Sequence, residues 1–181
     1  MIINRLFKGA ESREAAGRLY RALVDQARRP DFYLRFGVPD TLDGRFDMIA
    51  LHAFLLLHRL KRGGAGQGMV AQALFDLMFA DMDAALREMG VGDLSVGRKV
   101  KTMASGFYGR IAAYEAGLSG AAGELEQALA RNLYGTVAPV PAEITAMAEY
   151  IRRQAAFLAD ASTEALLKGE IAFEAPQGRA S

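Results

Sequence analysis

Apolar residues recur along most of this chain at the spacing of an α-helix. The clearest case is the stretch 74–110, in which apolar side chains repeat every three or four residues in two runs. A Gly-Val-Gly-Asp turn separates the runs: Gly90 follows the first as a helix-terminating glycine, and Asp93 or Ser95 can cap the second. The pattern predicts a hairpin of two amphipathic helices that carries the core of the fold.

The same periodicity predicts five further helices. They cover Glu11–Arg28, Asp47–Arg62, Gly120–Tyr134, Pro141–Leu158 and Ser162–Lys168. The one that begins at Asp47 is apolar almost all round, which is typical of a helix surrounded by others. A connector, 30–46, precedes it, and its aromatic residues indicate packing rather than disorder. The sequence therefore predicts an all-α, single-domain bundle of six or seven helices with a long aromatic-rich connector.

The two ends of the chain are interpreted separately from the helical domain, 11–169. Residues 1–10 form a short basic-apolar segment, which either folds back onto the domain or makes a weak contact with a membrane surface. Residues 170–181 show no helical pattern, and we expect a loose C-terminal tail.

The second helix of the hairpin contains four glycines, each of which costs a helix interior about 0.5–1 kcal/mol relative to alanine. Gly106 and Gly117 are eleven residues apart and share a helix face. We interpret them as places where another backbone approaches closely, and Gly97 and Gly109 as sites of bending.

Composition narrows the classes of protein that the chain can represent. With 181 residues, 51% hydrophobic and 24% charged, it matches one soluble globular domain. A net charge of +1 predicts no nucleic-acid partner. The absence of cysteine excludes disulfides, thiol catalysis and cysteine-ligated metals. The chain shows neither a secretory signal nor a run of ~18–20 apolar residues that could cross a bilayer, so we expect a cytoplasmic protein.

A search for catalytic residues finds little. His52 and His58 are six residues apart, which places them about 120° out of alignment on a helix, so they cannot jointly bind one metal. His52 is interpreted as a core histidine with a hydrogen bond. No Gly-x-Ser-x-Gly motif is present, and the glycine-rich segment 63–68 lacks the Lys-Ser/Thr of a phosphate-binding loop. The sequence predicts no catalytic residue, no metal and no cofactor.

Charges on the hairpin are segregated between its two helices. Acidic residues predominate on the first helix, whereas no acidic residue lies between Leu94 and Arg110 on the second. One interpretation is that the flanks of two antiparallel helices attract each other, with exposed pairs contributing ~0–1 kcal/mol each. The other is a surface of two signs that binds a polar partner. The sequence leaves both open.

Four short motifs resemble those of the ubiquinol–cytochrome c chaperone family. They are Gly-Val-Pro-Asp-Thr at 37–41, Gly-Arg-Phe-Asp at 44–47, Leu-Arg-Glu-Met-Gly-Val-Gly-Asp at 86–93 and Phe-Tyr-Gly-Arg at 107–110. The resemblance covers roughly residues 32–118. It implies a non-enzymatic role: binding newly made cytochrome b and assisting assembly of the bc1 complex.

The resemblance also carries expectations about partners and location. Mitochondrial members work with a small partner protein and near the ribosome, so a small co-chaperone is a further candidate partner. This chain lacks their N-terminal targeting extension. We therefore expect a bacterial cytoplasmic protein that acts at the cytoplasmic face of the inner membrane, with possible peripheral contact there.

The polar residues of the motifs and the hairpin are the predicted partner contacts. They are Asp40, Arg45, Asp81, Arg87, Glu88, Asp93, Lys99, Lys101, Tyr108 and Arg110. The competing interpretation is structural, with Asp93 as a helix cap and Arg45 and Arg110 in internal salt bridges. Several methionines of the hairpin have the same ambiguity, because methionine at helical spacing fills a core as well as an adaptable binding surface. They are Met69, Met78, Met82, Met89 and Met103.

Two functions of other classes remain open at this point. A helical enzyme or carrier for a small apolar ligand, such as a quinone, predicts a large enclosed pocket that contains His52 and a perturbed carboxylate. A peripheral membrane scaffold would use the N-terminal segment. The chaperone hypothesis predicts instead an open groove or a charged patch.

Overall fold

Helices account for all the regular secondary structure in the part of the chain that the structure describes. This computed structural model describes residues 2–177, without the side chains of residues 2–8 and 94. Within that range lie eight helices: α1 (Ile2–Ala27), α2 (Pro30–Leu34), α3 (Leu42–Leu60), α4 (Ala65–Glu88), α5 (Asp93–Ser119), α6 (Glu124–Asn132), α7 (Pro141–Ala159) and α8 (Thr163–Leu167). The predicted all-α fold is confirmed.

All seven predicted helices are found, and the additional one, α2, is a five-residue helix inside the predicted connector. Pro30 supplies its first residue, a position that tolerates proline because the amide there needs no helical partner. Helix α3 begins earlier than predicted. Its N-cap is Thr41, whose hydroxyl accepts a hydrogen bond from the Gly44 amide at 3.1 Å.

Helix α1 also begins earlier than predicted, at Ile2, so the backbone of the basic-apolar segment continues directly into it. The two interpretations of that segment concern its side chains. Met1 and the side chains of residues 2–8 lie outside the described residues, so folding back and membrane contact both remain predictions.

Helix α3 occupies the centre of the bundle, as its all-round apolar pattern predicted. It packs against α1, α4, α5 and α7. Met48, Leu51, Phe54 and Leu55 are almost completely buried, and they belong to one continuous core that draws on every helix in the described part of the chain. A helix enclosed in this way can satisfy its polar side chains only from within the protein.

His52 shows how α3 meets that requirement. Its Nδ1 lies 2.8 Å from the Met48 carbonyl oxygen, and its Nε2 lies 2.8 Å from the hydroxyl of Tyr150 on α7. Because a carbonyl oxygen only accepts, Nδ1 carries the proton and Nε2 accepts from the tyrosine. Burial lowers the pKa of His52 to about 4, so the ring is neutral. The prediction of a hydrogen-bonded core histidine is confirmed.

The same network fastens the chain after α8. The Gln26 side-chain amide donates to the Tyr150 hydroxyl at 2.9 Å and to the Glu174 carbonyl at 2.8 Å. The Gln154 side chain also donates to the Glu174 carbonyl, and it accepts a hydrogen bond from the Glu174 backbone amide. The Phe173 ring packs edge-on against His52 at 5.6 Å between centroids. The prediction of a loose tail is therefore wrong for residues 171–176. Residues 178–181 lie outside the described range.

Close backbone packing in α5 occurs at Gly117. A Cβ built there would lie 2.6 Å from the Leu125 Cα on α6. The same prediction is wrong for Gly106, where a Cβ would meet only the Arg110 guanidinium, at 3.0 Å. Gly97 and Gly109 have nothing within 4 Å, and their suggested role in bending stays a prediction.

We expect Gly117→Ala to lower the free energy of unfolding by about 1–3 kcal/mol, because a methyl group forces α5 and α6 apart. Gly109→Ala, at an open position of the same helix, is the matched control and should raise it by about 0.5–1 kcal/mol. Urea denaturation measures both. A stabilising Gly117→Ala would show that close packing does not explain this glycine.

Candidate functional site

The turn between α4 and α5 ends α4 in the way that the sequence predicted. Gly90 adopts a φ of +81°, its amide donates to the Arg87 carbonyl at 2.9 Å, and the Val91 amide donates to the Leu86 carbonyl at 3.1 Å. These two bonds form a Schellman motif. Because the motif sets where the two helices diverge, it also sets the geometry of the space between them.

The predicted cap of α5 is wrong. Gly92 is the N-cap, no side chain caps the helix, and Asp93 is its first helical residue. The Asp93 carboxylate instead pairs with Arg87, which also bonds Asp83 at 2.6 Å. Arg87 and Asp93 therefore connect the two helices at the turn, and a contact with a partner there would compete with these ion pairs.

An open groove of about 1220 Å³ lies where the C-terminal half of α4 and the N-terminal half of α5 face α3 and α1. The segment after α6 completes its wall. Most of the lining surface is apolar, and the apolar residues that contribute to it are Leu42, Phe46, Ile49, Met82, Ala85, Leu86, Met89, Met103 and Leu133. Leu42 is 62% and Met89 51% exposed, so part of this apolar surface faces solvent. Three of the five hairpin methionines line the groove, although Met82 is only 8% exposed and also belongs to the core, while Met78 lies in the core alone.

The charged lining of the groove is predominantly basic. Six cationic side chains contribute to it, namely Arg28, Arg45, Arg98, Lys99, Arg110 and Arg131, against three acidic ones, Asp43, Asp47 and Asp81. Two of the acids are already engaged. Asp47 pairs with Arg110, and Asp81 accepts a hydrogen bond from the Tyr20 hydroxyl at 2.8 Å.

Asp47 and Arg110 form the most buried ion pair of the groove. Arg110 Nη2 lies 2.8 Å from Asp47 Oδ1, in an orientation too oblique for a well-directed hydrogen bond, and the guanidinium also lies over the Phe46 ring at 5.8 Å. Burial raises the pKa of the Asp47 carboxyl to about 6, although Arg110 acts in the opposite direction. The Tyr114 hydroxyl close by is buried and makes no hydrogen bond to any described residue. Removing water from the carboxylate thus costs more than this single pair returns.

Four of the ten predicted partner contacts line the groove: Arg45, Asp81, Lys99 and Arg110. The structural interpretation of two of them also holds, since Arg110 pairs with Asp47, and Arg45 with Asp40 at 2.7 Å. The other six do not line the groove: Arg87 and Asp93 lie at the turn, Asp40 is the exposed partner of Arg45, and Glu88, Lys101 and Tyr108 are exposed. The structure therefore brings together less than half of the predicted set.

Sequence reasoning missed three cations of the groove. Arg98 belongs to the acid-free run of α5, and that run was the available signal for it. The sequence placed Arg28 only as the last residue of a predicted helix, and Arg131 carries no sequence signal at all. Arg98 lies on α5, Arg28 directly after α1 and Arg131 on α6, and the fold alone brings these segments to one groove.

The groove differs from the site that a quinone enzyme or carrier would need. It is open rather than enclosed, and His52 is not in its lining, although a carboxylate with a raised pKa is. Among the described residues no group of three or more His, Asp or Glu side chains is placed to hold a metal ion. None of the helices described here is long and apolar enough to span a bilayer.

Comparison with known proteins assigns the family. Residues 34–173 match the sequence profile of the ubiquinol-cytochrome C chaperone family. The chain belongs to this family. The crystal structure of a Cbp3 homolog from Brucella abortus is similar to it over 97% of this chain and 98% of that one, with 36% sequence identity and a TM-score of 0.84.

Curated relatives carry the name ubiquinol-cytochrome c reductase complex assembly factor 1. The protein from Mus musculus is 28% identical over 87% of this chain and 54% of its own length. The one from Xenopus laevis is 28% identical over 88% of this chain and 80% of its own length. This member of the chaperone family therefore spans about half the length of its mouse and human relatives.

The two buried titratable groups of α3 should have opposite effects on stability. His52, with a folded-state pKa lowered from 6.5 to about 4, contributes stability above pH 6.5 that is lost as the pH falls towards 4. Asp47, with a pKa raised from 3.8 to about 6, contributes stability below pH 3.8 that is lost as the pH rises through 6. Between these limits the two effects oppose each other.

Asp47→Asn removes the effect of Asp47 and keeps that of His52, so the difference in stability from the wild type reports the titration of Asp47. We expect its free energy of unfolding, relative to that of the wild type, to rise between pH 4 and pH 6.5 by on the order of 2 kcal/mol. Urea denaturation across that range measures the difference. Asp43→Asn, which removes an exposed carboxylate of the same helix, should follow the wild type. A pH-independent difference for Asp47→Asn would contradict the assignment.

Proposed function

We propose that this chain is an assembly factor of the bc1 complex that binds newly made cytochrome b and catalyses no reaction. The observation that carries the proposal is the open groove, with its apolar, methionine-containing floor and basic rim, in a member of the ubiquinol-cytochrome C chaperone family. The names of the mouse and frog relatives describe assembly of the same reductase complex. We propose the cytoplasmic face of the inner membrane as the place of action.

The groove suits a polypeptide better than a small molecule. Pockets for small ligands are concave, enclose most of the ligand and measure roughly 300–1,000 Å³, whereas this groove is open and larger. The apolar segments of a newly made membrane protein are exposed to water until they insert into the membrane or pair with one another. The Met82, Met89 and Met103 side chains offer such segments a polarisable surface that adapts to different shapes.

The predicted contacts outside the groove suit a second protein. Lys101 and Tyr108 are exposed on α5, and the Tyr108 ring, 59% exposed, is supported by Phe75 at 5.4 Å between centroids. Tyrosine held in this way is common at protein interfaces, because little side-chain entropy is lost on binding. We propose this surface for a small co-chaperone.

Affinity capture of the tagged full chain from its own cells, after mild solubilisation and with newly made proteins labelled, tests the proposal. We expect cytochrome b to be recovered with the wild type. Recovery should fall about tenfold or more with Arg98→Glu/Lys99→Glu, because the rim of the groove then repels what it bound. Arg13→Glu/Arg21→Glu, which reverses two exposed charges of α1 outside the groove, is the matched control and should retain recovery.

Thermal unfolding of the wild type and the two variants checks that the fold is intact. We expect similar unfolding temperatures, because the substituted side chains are exposed. The proposal fails if the wild type recovers no bc1 component. Equal loss with Arg98→Glu/Lys99→Glu and with Arg13→Glu/Arg21→Glu would show that the groove is not the binding surface.

A further inference from the structure

We infer that the groove accepts an amphipathic α-helix, one whose apolar face lies on the methionine-containing floor and whose edge carries acidic residues. The inference specifies the chemistry of the bound segment and rests on the proposed function, in which the groove binds a protein. It follows from three properties of the described residues: the spacing of the floor, the absence of a strand edge, and the pairing of the charges.

The floor has the periodicity of a helix surface. Met82, Leu86 and Met89 on α4 are spaced i, i+4 and i+7, so they form one ridge along that helix. On α5, Lys99, Met103 and Gly106 also line the groove and have the same i, i+4 and i+7 spacing. Ridges of this kind on two neighbouring helices interdigitate with the i, i+3, i+4 and i+7 side chains of a third helix.

Backbone hydrogen bonding favours a helix over an extended segment. An extended peptide needs a strand edge to pair its amides and carbonyls, and residues 2–177 contain no strand. On an apolar surface such as that formed by Leu42, Met89 and Met103, unpaired backbone groups lose their water without gaining a partner. A helix satisfies its own backbone groups and presents only side chains to the floor.

The rim specifies the sign of the charge. Arg28, Arg98, Lys99 and Arg131 line the groove, and within the described part of the chain none of them forms an ion pair with a carboxylate. The other two cations, Arg45 and Arg110, are each paired with an aspartate. Asp43 and Asp81 also have no ion pair among the described residues, so four unpaired cations outnumber two unpaired acids and the charge that remains to be complemented is positive. Acidic side chains along one edge of the bound helix would pair with it, and basic ones would be repelled.

Three synthetic peptides of ~20 residues, long enough to form helix in isolation, test this chemistry. The first has leucines at i, i+3, i+4 and i+7 with glutamates along the edge of the apolar face. The second has lysines in place of those glutamates, and the third has the composition of the first in an order that gives no apolar face. Fluorescence anisotropy with the full chain measures the dissociation constants.

We expect the glutamate peptide to bind at least about tenfold more tightly than the lysine peptide, and the reordered peptide not to saturate. Arg98→Glu/Lys99→Glu should reverse the preference between the first two peptides. Arg13→Glu/Arg21→Glu, which reverses two exposed charges of α1 outside the groove, should leave it unchanged. Equal affinity for the glutamate and lysine peptides, or for the ordered and reordered ones, would overturn the inference.

Vesicles that contain an anionic phospholipid provide the competing ligand, since they also combine negative charge with apolar surface. Co-sedimentation that depends on Arg98 and Lys99, without binding of the glutamate peptide, would overturn the inference in favour of a lipid-binding groove. Recovery of cytochrome b from cells, without discrimination between the peptides, would refute the inference and leave the proposed function. Discrimination between the peptides without recovery of cytochrome b would support the inference and refute the proposed client.

Discussion

The enclosure of α3 by α1, α4, α5 and α7 is the constraint on which the rest of the structure depends. Every polar side chain that such a helix buries needs a partner from the protein itself. His52 obtains one from Tyr150, and the tyrosine in turn orients Gln26, which binds the segment after α8. One buried hydrogen-bond network thus connects α1, α3, α7 and the C-terminal segment. The chain after α8 becomes part of the core as a consequence.

At its N-terminal half α3 is less completely enclosed, and the groove begins there. Asp47 lies at this boundary, where burial raises the pKa of its carboxyl and Arg110 opposes that rise. The pair gives the protein little net stability, because desolvation of two charges offsets their attraction. Its structural effect is to connect α5 to α3 through the Arg110 guanidinium. Arg87 connects α4 to α5 at the turn of the hairpin. Between this contact and the Asp47–Arg110 pair, the apolar floor of the groove remains uncovered.

The charge pattern of the hairpin acquires a specific meaning from this arrangement. Two antiparallel helices with opposite charges could have formed a row of ion pairs between them, but in the described residues Arg87–Asp93 is the single ion pair between α4 and α5. Arg98 and Lys99 face the groove instead. An apolar floor with an uncompensated basic rim is the usual composition of a surface that binds a complementary partner rather than of one that stabilises a monomer. This connects the geometry with the chaperone family to which the chain belongs.

The sequence by itself determined those features that depend on neighbours along the chain. Helix periodicity located seven of the eight helices in the described part of the chain, and Gly90 located the turn. The apolar residues around His52 identified it as a core residue. Each of these signals lies within a few residues of its effect. The motifs of the hairpin also indicated the family. Only the tertiary structure decided that Arg28, Arg98 and Arg131 line one groove, that Asp47 pairs with Arg110, and that residues 171–176 are packed. These contacts join segments far apart in the chain, and a local pattern carries no record of which distant segment will lie beside it.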